Sequence, residues 1–541
     1  MASPADCQLS TDSAGTTVEK VETPNSTQAQ NNSVTLQPLV ASDTKIELTE
    51  RSCYPVLGFC FPTKKKWIIL SAIFAVQTSM NFNASVYGNV IPLLPERYGI
   101  TMKEARYGQL IFLIAYAFGC ELWAPWSEEL GRKWILQASL GLVNIWQILC
   151  GLAPNHTALL VGRFLGGLSS AGGSVTLGMV ADMWHPESHQ HAIAFVVLSS
   201  VMGSVIGPVC GGFIQQYLRL EWNFGIQFLL GLVVQIFHLI LVPETRSSVL
   251  CKREAQRRRK LGQKNIFATI EIHGRGLTLK RILQIWVRPF WMFFAEPIVL
   301  CLSLLSGFSD ALIFTFLESY GPVYRQWNFT PSQIGLAFIP IGVGYIIAYL
   351  IWLPFIRRDL RRQQQQPESL KPESRLFYLL FTSPLLCMGL FGFAWTSLGP
   401  PYTPWIAPMF FSVLIGIANY AIYGATIDYM VLSYGVYAAS ATGGNGFARD
   451  FLAGIAALYS HPLYHNLGGR WHLSYGSTLL GCLAFFFTIP IFGFYWLGPW
   501  FRSHSHFARK LQEQRRIDNE LEVRSREDSR HASRPEVSEV M

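Results

Sequence analysis

The sequence GSVIGPVCGG occupies residues 203–212, inside a stretch from 193 to 214 that contains no charged residue. A helix that crosses the hydrocarbon core of a bilayer needs about 20 mostly apolar residues. Glycines four residues apart let two such helices approach closely, and a proline bends the helix that contains it. The stretch therefore predicts a membrane-spanning helix that is bent at Pro208 and lies close to a neighbouring helix.

The composition of the whole chain extends this interpretation. Of its 541 residues, 50% are hydrophobic and only 14% are charged, whereas soluble proteins carry about 25% charged residues. A hydropathy window of about 19 residues indicates twelve candidate spans, six on each side of a basic linker. They cover residues 67–91, 108–124, 134–152, 158–180, 193–214, 225–242, 292–317, 334–356, 377–397, 405–427, 435–459 and 474–498.

These spans divide the chain into five segments and predict an all-α membrane protein with twelve transmembrane helices in two six-helix bundles. The bundles cover residues 67–243 and 291–498. A basic cytosolic linker, residues 244–290, joins them. A disordered cytosolic N-tail covers residues 1–66, and a charged cytosolic C-tail covers residues 499–541.

The distribution of basic residues predicts the orientation. With both termini in the cytosol, the cytosolic segments hold 35 Lys and Arg residues and the outer loops hold 6. Cytosolic loops of membrane proteins carry such an excess. The net charge of +9 therefore lies beside the spans, and it favours a lipid bilayer over nucleic acid as the partner of the chain.

The loop between spans 2 and 3 reads APWSEELGRK at residues 124–133. A tight turn between two helices needs a glycine, and Gly131 supplies it. Glu128 and Arg132 are four residues apart and can pair across the turn. Asp182 ends span 4, so the predicted topology places it at the same inner surface as this loop.

This loop is similar to the signature loop of the major facilitator superfamily, although Ala124 stands where the family has a glycine. Residues 203–212 resemble the antiporter motif of the twelve-span drug:proton antiporters, and every fixed position is present: Gly203, Gly207, Pro208, Gly211 and Gly212. Further segments look like the fungal branch of that family, which exports drugs, polyamines and secondary metabolites. They are Gly162–Gly167, Pro243–Arg246, Arg288–Phe290 and Tyr437–Asn445.

The resemblance covers residues 67–507 and implies the major facilitator fold and export in exchange for protons. It also implies a gating role for Glu128, Gly131, Arg132 and Asp182, whose charges hold the outward-open state in such relatives. The alternative is that these charges are hydrated and only set the topology. An exposed pair of that kind contributes about 0–1 kcal/mol.

Ionisable side chains in the second half of the chain are candidates for proton handling, because a charge at membrane depth is costly and is usually paired or functional. The candidates are Asp310, which is our first choice, followed by Glu296 and Asp450. The alternative for Asp310 is that it pairs with Arg449 and only holds helices together.

Other polar residues of the spans are candidates for the substrate path: Asn81, Arg163, Asn445 and Arg449. Arg163 lies near the start of span 4, so it could instead reach the outer interface. The sequons at Asn155 and Asn328 lie in predicted outer loops and are candidate glycosylation sites.

The function that these patterns favour is export of a small organic molecule by alternating access, in exchange for protons, from a monomer in the plasma membrane. Proton-coupled uptake and a vacuolar location remain alternatives, as does a transporter-like sensor. A membrane enzyme of the di-iron type needs several histidine boxes on one side, but the 12 histidines fall on both sides. We therefore predict neither catalytic activity, nor a metal site, nor a cofactor.

Overall fold

The computed structural model of this protein describes one nearly continuous part of the chain. It covers residues 46–505 and 509, without residues 186–187, 264, 273–278, 366–371, 435–436 and 469. The first 45 residues of the predicted N-tail and nearly all of the predicted C-tail lie outside the described residues.

The first half of the described chain is helical, because in a bilayer every backbone polar group must be satisfied within the protein. A short strand, β1 (Ile46–Leu48), precedes it. The helices are α1 (Glu50–Cys53), α2 (Thr63–Ser85), α3 (Leu94–Tyr98), α4 (Met102–Leu130), α5 (Arg132–Gly151), α6 (His156–Ser170), α7 (Val175–Met183), α8 (Gln190–Tyr217) and α9 (Leu220–Leu241). A 3₁₀ turn, Ala171–Ser174, joins α6 and α7 into span 4.

The remaining described chain begins with the basic connection between the two halves, which contains a second short strand, β2 (Ile266–Ala268). Its helices are α10 (Ser247–Lys260), α11 (Thr269–Ile272), α12 (Leu279–Ala295), α13 (Pro297–Arg325), α14 (Pro331–Leu336), α15 (Ile339–Gln365), α16 (Phe377–Thr382), α17 (Pro384–Thr396), α18 (Ile406–Tyr434), α19 (Ala438–His465) and α20 (His472–His504).

Among the described residues, ten helical segments are long and apolar enough to cross a membrane. They coincide with ten of the predicted spans. Long helices also occupy the positions of spans 1 and 11, namely α2 and α19. Gln77, Asn81 and Asn83 in α2, and the charged pair Arg449 and Asp450 in α19, lower the hydropathy of these two helices.

The helices pack as two groups that meet along a few pairs. In the first group α2 packs against α8 and α9, while α4 and α5 pack against α6. In the second group α13 packs against α19, and α18 packs against α15 and α17. The groups meet where α4 contacts α19 and where α8 contacts α14, α15 and α18. This is the arrangement that two six-helix bundles require.

The last part of the predicted N-tail is folded, so the prediction of disorder is wrong for residues 46–66. The strand β1 pairs in parallel with β2, Ile46 opposite Ile266 and Leu48 opposite Ala268. Leu48, Cys53 and Leu57 are buried against Cys251, Ala255, Ile266 and Ala268 of the linker. These apolar residues are too sparse for a hydropathy window, and their packing surface comes from a segment some 200 residues away.

The glycines at residues 203, 207 and 211 lie on the face of α8 that contacts span 1. A Cβ atom on Gly203 would lie 2.6 Å from the Thr78 carbonyl oxygen, and one on Gly207 would lie 2.9 Å from the Val86 nitrogen and closer still to Ser85. Ser85 donates a hydrogen bond to the Gly203 carbonyl oxygen at 3.1 Å. The three glycines therefore let the two helices approach to backbone contact.

We predict that Gly207→Leu stops transport while the protein still inserts. The leucine must displace Ser85 and the backbone of span 1, and overpacking of this kind typically costs about 1–3 kcal/mol. Gly493→Leu in α20 is the matched control, because a Cβ atom there meets nothing within 4 Å. Efflux from cells, normalised to surface protein, measures both variants, and normal efflux with Gly207→Leu would contradict the prediction.

Candidate transport cavity and gating residues

A cavity with an empty volume of about 1410 Å³ lies between the two groups of helices. Its lining includes Asn81 and Tyr116 from the first group, and Tyr423 and Asn445 from the second. Side chains at the inner ends of the helices, such as Trp184, also line it. The cavity thus extends from the middle of the protein to the side where the basic loops lie.

The structure brings six of the predicted site residues to this cavity. They are Asn81, Glu128, Arg132, Asn445, Arg449 and Asp450. The Asn81 amide donates to the Gln77 carbonyl oxygen at 3.0 Å and to the Ser200 hydroxyl at 3.3 Å. Asn445 accepts from the Ser306 hydroxyl at 3.4 Å, and its amide nitrogen has no hydrogen-bond partner among the described residues.

Asp310 and Arg449 form an ion pair at the wall of the cavity. Arg449 Nη2 lies 3.1 Å from Asp310 Oδ1, and both side chains are more than nine-tenths buried. The guanidinium also lies over the Tyr423 ring, 3.5 Å from its centroid. The structure therefore contains the pairing that we considered as the alternative to a proton-carrying role for Asp310.

The other two candidates for proton handling lie apart from this pair. Asp450 Oδ2 is 3.9 Å from the Cys120 sulfur and is at the cavity. Glu296 immediately precedes α13, is 1% exposed, and accepts from the Tyr434 hydroxyl at 3.4 Å. Glu296 is not part of the described lining of the cavity.

Arg163 does not reach the cavity, in contrast to its prediction as a substrate-path residue. It donates to the carbonyl oxygens of Gly108 at 3.3 Å and Asn83 at 3.1 Å. Its guanidinium lies over the rings of Phe112 and Tyr87. At 1% exposure it does not extend to the outer interface either, because α2, α4 and their aromatic side chains enclose it.

Three of the four predicted gating residues, Gly131, Arg132 and Asp182, meet in a cluster at the inner end of the first group. Arg132 Nε lies 3.0 Å from Asp182 Oδ2, and Arg132 Nη1 donates to the Ser127 hydroxyl at 2.6 Å. Gly131 has a φ of 100°, a conformation that favours glycine, and the Glu244 carboxylate fills the space beside it. The tight turn thus brings Arg132 against span 4.

Glu244 is a member of this cluster that our sequence-based gating set did not contain. Its carboxylate accepts from the backbone nitrogens of Arg132 at 2.9 Å and Thr245 at 3.0 Å. A carboxylate at the start of a helix satisfies unpaired N–H groups and the positive end of the helix dipole. Glu244 lies in the segment Pro243–Arg246, which is one of the segments that resemble the fungal family, so the sequence did contain an indication of its importance.

Glu128 has a different place from the one predicted. Its side chain lines the cavity, and among the described residues it has no ion pair with Arg132. The acidic partners of Arg132 are instead Asp182 and, at the backbone, Glu244. All of these residues belong to the first group of helices, and their contacts are intact while the cavity reaches the inner side.

The outer end of the cavity is closed by contacts between the two groups. Arg106 Nε in α4 lies 3.0 Å from Glu318 Oε2 in α13. The Ser332 nitrogen in the first turn of α14 donates to the Gln216 side-chain oxygen at 3.0 Å. A Cβ atom on Gly212 would be 3.1 Å from the Gly335 Cα atom, so this motif glycine serves the contact between the groups.

A second contact between the groups lies at the inner end of α8. Asp428 in α18 accepts from the Gln190 amide at 2.8 Å, and its other oxygen lies 3.7 Å from His189 Nε2. Arg375 Nε is 3.7 Å from the same carboxylate, and the Tyr420 hydroxyl donates to the Ala194 carbonyl oxygen at 2.9 Å. One edge of the inner side is therefore closed.

The two sequons lie at exposed positions. The Asn155 side chain accepts from the Ala158 nitrogen at 2.8 Å and caps α6. Asn328 has a positive φ of 59° in the turn between α13 and α14. Glycosylation at both sites stays a prediction.

Comparison with known proteins identifies the family. A family model described as Major Facilitator Superfamily matches residues 73–458. The chain belongs to this superfamily. Fungal transporters are among its relatives: the MFS-type transporter acdC of Aspergillus candidus is 28% identical over 452 residues, which is 82% of this chain and 87% of that protein. The efflux pump atB of Aspergillus terreus is 31% identical over 447 residues, 80% of this chain and 91% of that protein.

Solved structures of the superfamily show the same fold. The proton:xylose symporter XylE bound to 6-bromo-6-deoxy-D-glucose matches with a TM-score of 0.57 and 14% identity, covering 80% of this chain and 97% of that one. A partially occluded inward-open form of the xylose transporter from E. coli matches with a TM-score of 0.55 and 13% identity, covering 80% and 98%. The relatives and structural neighbours are transporters and not enzymes, and this chain is a multi-pass membrane transporter of the major facilitator fold.

We predict that Arg132→Ala and Asp182→Ala each impair transport, because each leaves the other charge buried without its partner. The side chains of the pair are 7% and 8% exposed, and breaking a buried pair costs about 3–5 kcal/mol. The double variant should be no worse than either single variant, since the shared interaction is already lost. Efflux normalised to surface protein measures the effect. Lys133→Ala is the control, because its side chain is half-buried and, among the described residues, the only hydrogen bond of that side chain is to the Leu239 carbonyl oxygen. Strictly additive losses would show that Arg132 and Asp182 act independently.

Proposed function

We propose that this transporter exports a small organic molecule from the cytosol in exchange for protons, by alternating access across the plasma membrane. The observation that carries the proposal is the cavity, which is closed at the outer end by the Arg106–Glu318 pair and extends to the inner side. A cytosolic substrate can enter such a cavity, and rocking of the two bundles would then release it outside.

Two further observations favour export. The glycines of α8 lie against span 1 on one side, and Gly212 lies against α14 of the other group. Small residues at both contacts allow close sliding of one bundle along the other. Among the relatives, atB is named an efflux pump, and a protein of Didymella fabae that is 27% identical over 460 residues is named the ascochitine biosynthesis cluster MFS transporter.

Asp310 is the residue through which we propose that protons are coupled to transport. It pairs with Arg449, whose guanidinium is at the cavity. Protonation of Asp310 would break its ion pair with Arg449, and the unpaired guanidinium would then change the electrostatic potential at a bound substrate. Proton-coupled uptake remains the alternative, and the direction of the pH-driven movement distinguishes the two.

We predict that Asp310→Asn abolishes pH-driven transport. Inside-out vesicles with an acidic lumen should accumulate the organic dye rhodamine 6G when they contain the parent protein. Vesicles that contain the variant should not, because an asparagine side chain cannot take up and release a proton. Exchange of internal for external dye without a pH gradient should survive. Glu96→Gln, an exposed carboxylate of α3, is the control for removal of one acid and should behave like the parent protein.

The double variant Asp310→Asn with Arg449→Gln separates the two roles of Asp310. If the aspartate carries the proton, pH-driven transport stays lost in the double variant. If Asp310 only neutralises Arg449, removal of both charges restores pH-driven transport, and the coupling role is wrong.

A further inference from the structure

We propose that the cavity contains a subsite for the basic nitrogen of an organic amine, formed by Glu121 of α4 where it meets Gly443 of α19. This inference rests on the proposed transport function, since it assigns a chemical class to the molecule that the same cavity accepts. Glu121 was not among the residues that the sequence singled out.

Glu121 is a buried acid at the cavity whose carboxylate has no hydrogen bond or ion pair among the described residues. Its side chain lines the cavity and the residue is 7% exposed. Its Oε1 atom is buried and has no hydrogen-bond partner in this part of the chain. Burying a polar or charged group without a compensating partner is unfavourable. A cation in the cavity would compensate the charge of this carboxylate.

Gly443 makes room for this carboxylate. A Cβ atom at residue 443 would lie 3.1 Å from both Cδ and Oε2 of Glu121, and Oε1 would be closer still. The Glu121 carboxylate therefore lies against the backbone of α19, and any side chain at residue 443 would compete with it for the same space. Because α4 and α19 belong to different groups of helices, a ligand held here touches both of the moving bundles.

The basic side chains of the lining already have acidic partners. Two arginines reach the cavity, and an acid outside the lining already compensates each of them. The pairs are Arg132 with Asp182 at 3.0 Å and Arg449 with Asp310 at 3.1 Å. The described lining also contains His189, which lies 3.7 Å from Asp428, and it contains no lysine.

The acids of the lining are Glu121, Glu128 and Asp450, and among the described residues none of them forms an ion pair or a hydrogen bond with a cationic side chain. Of the three, Asp450 interacts electrostatically with Arg449. A cleft lined by one sign of charge raises the local concentration of the opposite charge. The cavity therefore favours a cation over an anion of the same size.

The remaining lining suits an apolar body attached to the amine. Aliphatic side chains contribute much of the wall, including Val180, Ile193 and Ile427. The Tyr116 ring also lines the cavity, and an aromatic face attracts a cation. Arg449 already occupies the face of Tyr423. These features together predict an amphipathic amine.

The test uses three compounds with one carbon skeleton: 4-phenylbutylamine, 4-phenylbutanol and 4-phenylbutanoate. Binding to the purified full-length protein is measured by calorimetry at neutral pH. The parent protein should bind the amine about 10- to 100-fold more tightly than the alcohol, as expected for a hydrogen bond to a charged group. The carboxylate should bind more weakly than the alcohol.

Two variants address the subsite by independent routes. Glu121→Gln removes the charge, and Gly443→Ala leaves the charge but displaces the carboxylate. Each should reduce the affinity for the amine to that for the alcohol, while the affinity for the alcohol stays as in the parent protein and so reports correct folding. Glu96→Gln should change neither affinity.

Equal affinity of the parent protein for amine and alcohol would overturn the inference. So would a Glu121→Gln variant that retains the amine preference but loses pH-driven transport, since Glu121 would then carry a proton and not the substrate. Failure of the export proposal would give a different result. The parent protein would bind the amine selectively, yet inside-out vesicles with an acidic lumen would not accumulate it.

Discussion

The cost of an uncompensated charge inside the bilayer organises the middle of this protein. Arg449 reaches the cavity only because Asp310 lies 3.1 Å away and the Tyr423 ring covers its guanidinium. Arg163, a second arginine at membrane depth, donates to two carbonyl oxygens and lies over two aromatic rings, although its Nη2 atom has no hydrogen-bond partner among the described residues. Glu121 differs from both arginines, since its carboxylate has neither an ion pair nor a hydrogen bond among the described residues and one of its oxygens is buried. The functional proposals follow from this contrast.

Close packing of helix backbones is the second constraint, and most of these close contacts involve α8. This helix contacts span 1 through Gly203, Gly207 and Gly211, and it contacts α14 through Gly212. It also carries Gln190, which bonds Asp428 of α18 at the inner end. One helix therefore participates in the packing within its own bundle and in contacts with the other bundle at both ends. A change in its position would alter both contacts together.

The sequence predicted the parts of the fold that depend on local composition. Spans were found because apolar runs are contiguous, and the gating pair Arg132 and Asp182 was found because topology places both at the inner surface. Span 2 was predicted to end at residue 124, whereas its helix continues to Leu130. Glu121 lies inside the predicted span, but the candidates for proton handling were taken from the second half of the chain, so it was not among them.

Features that depend on distant segments were not predictable in this way. The pairing of β1 with β2 joins residues more than 200 positions apart, and no local pattern indicates it. The capping of α5 by Glu244 likewise needs the end of α9 to lie beside the turn at Gly131. The Asp310–Arg449 pair was foreseen only as an alternative, because spacing along the sequence does not decide which helix faces meet.

The central claim is that the two bundles move reciprocally around the cavity. Electron spin resonance distances in a cysteine-free background test it directly, with one label pair on the outer side and one on the inner side. Exposed positions for the outer pair are Arg97 and Arg325, and for the inner pair Leu130 and Arg361. Between alkaline and acidic buffer, the account predicts that one distance lengthens while the other shortens. Two distances that stay constant, or that change in the same direction, would contradict alternating access in this protein.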